Sequence, residues 1–193
     1  MQARYKAFKL SSVIALLFLA TSVFAAERYQ VDTAHTYILF KVKHFDIGYS
    51  YGRFDGPTGS IVWDHANPAN SSIEMTVNAV GVNTADGKRD QHIRSADFLN
   101  VEKYTTIAFK STSVRKLDDD AYEVNGELTL LGKTRPIALK VRQTGVGKDP
   151  WGNYRRGFET NFVIKRSDWG MDFMLDGVSD QVELTVSIEG IRQ

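Results

Sequence analysis

The chain contains no cysteine. That absence excludes a disulfide framework, thiolate catalysis, cysteine-ligated zinc or iron–sulfur centres, and covalent c-type haem. An excess of charge is also missing, since 24 lysines and arginines stand against 23 acids. So even a balance argues against a general nucleic-acid binder, which shows a strongly basic face. What is present is 42% hydrophobic residues spread over 193, a globular composition with length for one domain and a real core.

The first segment reads as an address. Arg4, Lys6 and Lys9 precede an uncharged stretch from Leu10 to Ala26, with an apolar centre and the small-residue pattern Val23-Phe24-Ala25 at its end. The apolar run is shorter than the ~20 residues that span a bilayer. Residues 1–25 are therefore expected to be a secretory signal peptide cleaved after Ala25, with residues 26–193 as the mature domain. Cleavage removes three cations and no acids, leaving 21 cations against 23 acids and a net charge of −2. With no cysteine to take a lipid, no stable membrane insertion is expected afterwards.

Period-2 alternation recurs along the rest of the chain. The cleanest run is Val182, Leu184, Val186 and Ile188 against Glu183, Thr185, Ser187 and Glu189. Ile38, Phe40 and Val42 share a face, as do Phe158, Thr160, Phe162 and Ile164. Further sets are Ile73–Ala79, Val124–Leu130, Ile137–Val141, Ile107 with Phe109, and Ile61 with Trp63. About eight strands follow, separated by turn-rich stretches such as Asp55-Gly56-Pro57 and Lys148-Asp149-Pro150. Only residues 86–99 read as helix. Without long crossover helices the sheet is antiparallel, and eight short strands close into a barrel or fold as a sandwich. A barrel of that size is filled by side chains or holds one small ligand.

No motif demands catalysis. Gly126 to Thr134 resembles a phosphate-binding loop, but five residues separate its glycines where four are required, so a hairpin turn around Gly132 is expected. His35, His44, His65 and His92 show no zinc-protease spacing, and there is no GxSxG elbow. No metal site or catalytic residue is assigned. His44 continues the face of Ile38, Phe40 and Val42 and so projects from a barrel end, as a hydrogen-bonded strand terminus or as a contact to a ligand head. Lys88 to Leu99 is the densest polar patch beside apolar residues. Its cations either pair locally with Asp90 and Asp97 or bind an anionic head, with Phe98 capping an apolar space. The same pair of readings applies to Trp151–Arg156 and Lys165–Trp169.

Four segments in order carry a resemblance. They are Asp32-x-x-His35-Thr36-x-Ile38-x-Phe40-x-Val42-x-His44, then Arg89-Asp90-x-His92-x-Arg94-Ser95-Ala96-Asp97-Phe98, then Gly126-x-Leu128-Thr129-x-x-Gly132-x-Thr134-x-Pro136. Asp149-Pro150-Trp151-Gly152-x-x-Arg155-x-Gly157-Phe158 is the fourth, matching with one residue of slack. Together they resemble the YceI-like proteins of bacteria. The resemblance implies a periplasmic, lipocalin-like closed antiparallel barrel whose apolar cavity holds a long isoprenoid or similar amphiphilic lipid, such as a polyprenyl diphosphate or a quinone, and a link in some members to high-pH stress. On that basis Ile38, Phe40, Val42, Phe98, Phe158 and Phe162 are expected to line the cavity. His44, Arg94 and Asp97 are expected to meet the head group. No cofactor is required and no nucleic acid is involved, while both a monomer and a homodimer fit. An enzyme acting on the lipid, and a stress-induced barrel acting through a protein surface, remain alternatives.

Overall fold

Two-faced strands are what alternating residues demand, and the computed structural model, which describes residues 26–193, builds a single sheet of eleven of them. In chain order they are β1 (Glu27–Val31), β2 (Tyr37–His44), β3 (Gly48–Phe54), β4 (Thr58–Trp63), β5 (Ser72–Asn78) and β6 (Val82–Asn83). Helix α1 (Gly87–Arg94) intervenes before β7 (Thr106–Lys116), β8 (Ala121–Leu130), β9 (Lys133–Lys148), β10 (Tyr154–Lys165) and β11 (Val178–Arg192). Strands β1, β4, β5, β7, β8, β9, β10 and β11 follow one another round a ring. It closes where Tyr29, Gln30 and Val31 pair with Arg192, Ile191 and Gly190. The architecture is a closed antiparallel eight-stranded barrel with one short helix.

β11 serves two neighbours. Its C-terminal end pairs with β1, whereas Val178–Ser187 pairs with β2, so β2, β3 and β6 extend the wall at the other end of the barrel. All eight alternating segments of the sequence are strands, but β2 belongs to this extension and β1 takes its place in the ring. β1 offers only Tyr29 and Val31 as alternating apolar residues, too few to register as a period. β3 reverses the usual pattern. Its inward positions Ser50 and Gly52 are small, and Tyr49 and Tyr51 face out. The reason is Phe40, whose ring lies across Gly52 so closely that a Cβ there would sit 2.2 Å from it.

The helix is shorter than residues 86–99. Asp86 caps it by accepting from the Arg89 amide at 2.9 Å, and Ser95 ends it, its amide turned back to the His92 carbonyl. The segment around Gly132 is a hairpin between β8 and β9. Leu131 and Gly132 both adopt left-handed backbone (φ 51° and 69°), the conformation of a tight two-residue turn rather than a phosphate loop.

Burial divides the barrel in two. One end is solid: Trp63, Tyr122 and Phe158 are each 1% exposed, with the Trp63 ring 4.7 Å from Tyr122 and 4.6 Å from Phe158. Arg156 seals this end, donating to Tyr29 Oη (3.1 Å), Gln143 Oε1 (2.5 Å) and Glu27 Oε2 (3.0 Å). Moving along the inward faces, burial then changes. On β10, Phe158 and Thr160 are buried but Phe162 and Ile164 only partly so; on β11, Ile188 is buried but Val186, Leu184 and Val182 are not. Side chains that point inward and still retain accessible surface are lining a hollow.

Candidate functional site

The hollow is a cavity of about 520 Å³ with an overwhelmingly apolar wall, within the ~300–1,000 Å³ of small-molecule sites. Strand register stacks its wall in rows. Next to the solid end, in register with the buried Thr160, lie Val186, Ile38 and Phe54; then Phe162, Leu184 and Phe40, with Gly52 behind the Phe40 ring; then Ile164, Val182, Val42 and Ser50. His44, opposite Val178, continues the β2 face toward solvent. On the far side α1 contributes Arg89, His92 and Ile93, and Phe98 follows from the turn beyond it. His44, Arg89, His92 and Met174 both line the cavity and are exposed, which places its opening among the β2–β3 turn, α1 and the loop before β11.

Of the residues the sequence nominated, Ile38, Phe40, Val42, Phe98, Phe162 and His44 line this space. Phe158 does not. It faces inward but lies in the solid end against Trp63, four residues along β10 from Phe162, where the cavity begins. Arg94 is also elsewhere: its Nε donates to the Val80 carbonyl and its Nη2 to the Val82 carbonyl, both at 2.8 Å, fixing the segment that leads into β6. The expected head contact is thus a loop fastener, because two unpaired carbonyls lie within reach of its fork. Asp97 stands behind the wall and accepts from His92 Nε2 at 2.9 Å, so it orients that imidazole rather than meeting the cavity itself.

One lining residue was not singled out by the sequence. Arg166 is 2% exposed and borders the cavity, in a segment, Lys165–Trp169, for which the sequence leaves open local pairing or contact with an anionic head. It donates through Nε to Ser179 O (3.0 Å), through Nη1 to Met171 O (2.7 Å) and through Nη2 to Val178 O (2.7 Å). These bonds fasten both ends of the loop at the cavity mouth. Burial pulls its pKa down, while Asp180 and Asp172 at longer range oppose that. Phe98 links it to the helix, with the guanidinium 5.9 Å from the ring centroid and His92 stacked edge-on at 5.1 Å.

A second polar cluster lies away from the cavity. Asp32, His35 and Glu189 bring potential metal-ligating atoms within 4.8 Å of one another. The space between the two acids is taken by Arg155, whose Nη1 lies 2.6 Å from Asp32 Oδ2 and 2.5 Å from Glu189 Oε1, and whose Nε lies 2.6 Å from Asp149 Oδ2. A guanidinium stands where a cation would, so the cluster is a fastener. Burial alone would raise the Asp32 pKa, but hydrogen bonds from Arg155, His35 and the Ala34 amide outweigh it and bring it to about 2. Asp149 likewise reaches about 2, burial being outweighed by Asn153 and Arg155. Both acids titrate below their unfolded value of 3.8, so the stability they lend is complete above pH 4 and drains as pH falls through about 2. The melting temperature should therefore drop between pH 4 and pH 2, and Arg155→Met should flatten that part of the profile. An unchanged profile in the variant would remove the network from the account.

Comparison with known proteins agrees with this geometry. A family model for the YceI-like domain matches residues 29–190. A UPF0312 protein of Pseudomonas aeruginosa is 42% identical over 179 residues, covering 92% of this chain and 93% of the relative. A UPF0312 protein of Yersinia enterocolitica is 43% identical over 183 residues, covering 94% of each. Among solved structures, the YCEI protein of Campylobacter jejuni superposes with a TM-score of 0.70 at 28% identity, over 76% of this chain and 87% of that one. A polyisoprenoid binding domain from Saccharophagus degradans superposes with a TM-score of 0.68 over 86% of this chain and 98% of that one, and at 16% identity it speaks for the fold. With the family model spanning nearly every strand of the barrel, the chain belongs to the YceI-like domain family.

Proposed function

We propose that the barrel is a binding and carrier protein that holds the hydrocarbon tail of a long isoprenoid or related amphiphilic lipid. The observation that carries this reading is the cavity of about 520 Å³, apolar over most of its wall, closed by a solid floor and open at one end. Each methylene moved from water into such a space gains about 0.8 kcal/mol, so a tail is held tightly without any catalytic group. The structural likeness to a polyisoprenoid binding domain supports the same class of ligand. Binding is favoured over catalysis because the wall is overwhelmingly apolar, and Asp97, the carboxylate bonded to the wall histidine His92, does not itself line the cavity.

The place of action in this proposal is the periplasm. The cleavage pattern at Val23–Ala25 supports it, although residues 1–25 lie outside the described structure, and among the described residues no helix is long and apolar enough to cross a membrane. A carrier is useful there because an aqueous gap separates two bilayers. Gentle purification of the exported protein followed by mass spectrometry tests both parts. The intact mass should lack residues 1–25, and the organic extract should contain a long-chain lipid in near-stoichiometric amount. A retained N-terminus would overturn the location, and a lipid-free extract from cells that make such lipids would overturn the carrier.

A further inference from the structure

The ionisable residues that line the cavity are His44, Arg89, His92 and Arg166, and every one is a base. Three of the acids nearby are engaged by the protein. Asp90 accepts from the Thr84 amide and hydroxyl (2.8 and 2.5 Å), Asp97 holds His92, and Asp180 accepts from the Ser167 amide and hydroxyl (2.9 and 2.8 Å). Arg166 is the sharpest case. It is a buried guanidinium with no carboxylate at ion-pair distance: three carbonyl dipoles meet its donors, and Asp180 and Asp172 act on it only from longer range. A buried cation without a counter-ion is costly, and an anion brought close to it recovers part of that cost.

The other bases stand where such an anion would arrive. Arg89 and His92 are three apart on α1 and so share a helix face, the face that meets the cavity. Arg89 spends Nε and Nη2 on Thr84, at 2.8 and 2.9 Å, and Nη1 has no partner among the described residues. His92 has one ring nitrogen fixed by Asp97 and packs on Phe98, which lies between it and Arg166. Extending the carrier reading, on which this rests, we infer that the cavity selects amphiphiles with an anionic head, a phosphate or a carboxylate, received at the mouth by Arg89 and His92 with the buried charge of Arg166 behind them. The tail supplies affinity and this basic mouth supplies choice. A neutral lipid of equal tail length gains only the first.

The test uses geranylgeranyl diphosphate and geranylgeraniol, which share one tail, with protein stripped of lipid. The diphosphate should bind about 10- to 100-fold more tightly, the range for one charge-assisted hydrogen bond. The gap should narrow as salt is raised, because the opening is in contact with solvent. Inorganic pyrophosphate at the same concentration should not displace the lipid; if it did, the site would be one for free anions and the inference would fall. Arg89→Gln with His92→Gln should erase most of the preference, the diphosphate losing far more affinity than the alcohol. Equal affinities in the wild-type protein would overturn the inference and leave the carrier intact. A variant that melts earlier and loses both ligands alike would also overturn it, making the two residues supports of the helix. If neither ligand binds, the carrier reading fails and this inference with it.

Discussion

Phe158→Ala should lower the stability of the barrel by about 3–5 kcal/mol, the cost of removing a large aromatic side chain from a close-packed core. Phe158 is 1% exposed, stacks on Trp63 at 4.6 Å, and belongs to the cluster that also holds Tyr122, Tyr29 and Ile188. Strands from both sides of the ring meet there, so a void cannot be closed by moving one of them. Phe162→Ala, four residues further along the same strand, should cost distinctly less. Phe162 already borders empty space, so its removal enlarges a cavity instead of creating one. Urea unfolding of both variants measures the contrast, with midpoints shifting and slopes unchanged. Equal losses would mean that the hollow end is as tightly packed as the floor.

The second large effect concerns the ligand. Phe162→Asp should abolish lipid retention through purification while the protein stays folded. In register with Leu184, Phe40 and Gly52, Phe162 is part of the middle row of the cavity wall. A carboxylate there faces hydrocarbon once a tail is bound, and burying an unpaired charge costs several kcal/mol or forces its protonation. In the unliganded barrel water can reach it, and the floor around Trp63 is untouched, so the fold survives. Quantifying extracted lipid beside a near-ultraviolet circular dichroism spectrum checks both halves. Retention should partly return at low pH, where the introduced acid is neutral. Full retention at neutral pH would place the tail elsewhere in the barrel.

The alternation along β2, β10 and β11 is a local property, and it made the strands and the inward identity of Phe40, Val42 and Phe162 readable from the chain alone. What alternation does not encode is depth. Phe158 and Phe162 are indistinguishable by pattern, and only the arrival of Trp63 and Tyr122 from β4 and β8 fills the space beside one and not the other. β3 was missed because its small residues face in and its tyrosines face out, a reversal imposed by the Phe40 ring on a different strand. The different surroundings of Arg94 and Arg166 were not legible for a related reason. Both are cations in polar segments. Carbonyls of residues 80 and 82 engage the first, and the folding of residues 171–179 over the second buries it. Such outcomes depend on contacts distant in sequence.

The seam between β1 and β11 sets a rule for assembly as the polypeptide emerges. Most of the ring is a meander from β7 to β11, in which each strand pairs with the one just made and can fold as it appears. β1 is different. It is made first, yet one of its neighbours is the strand made last, joined through Tyr29–Arg192 and the bond from the Gln193 amide to the Arg28 carbonyl. Until residues 190–192 exist, β1 keeps a vacant edge, a template that any extended chain can occupy. The nascent protein thus depends on protection for as long as its own C-terminal strand is unfinished, and a chain truncated before Gly190 leaves that edge open for good.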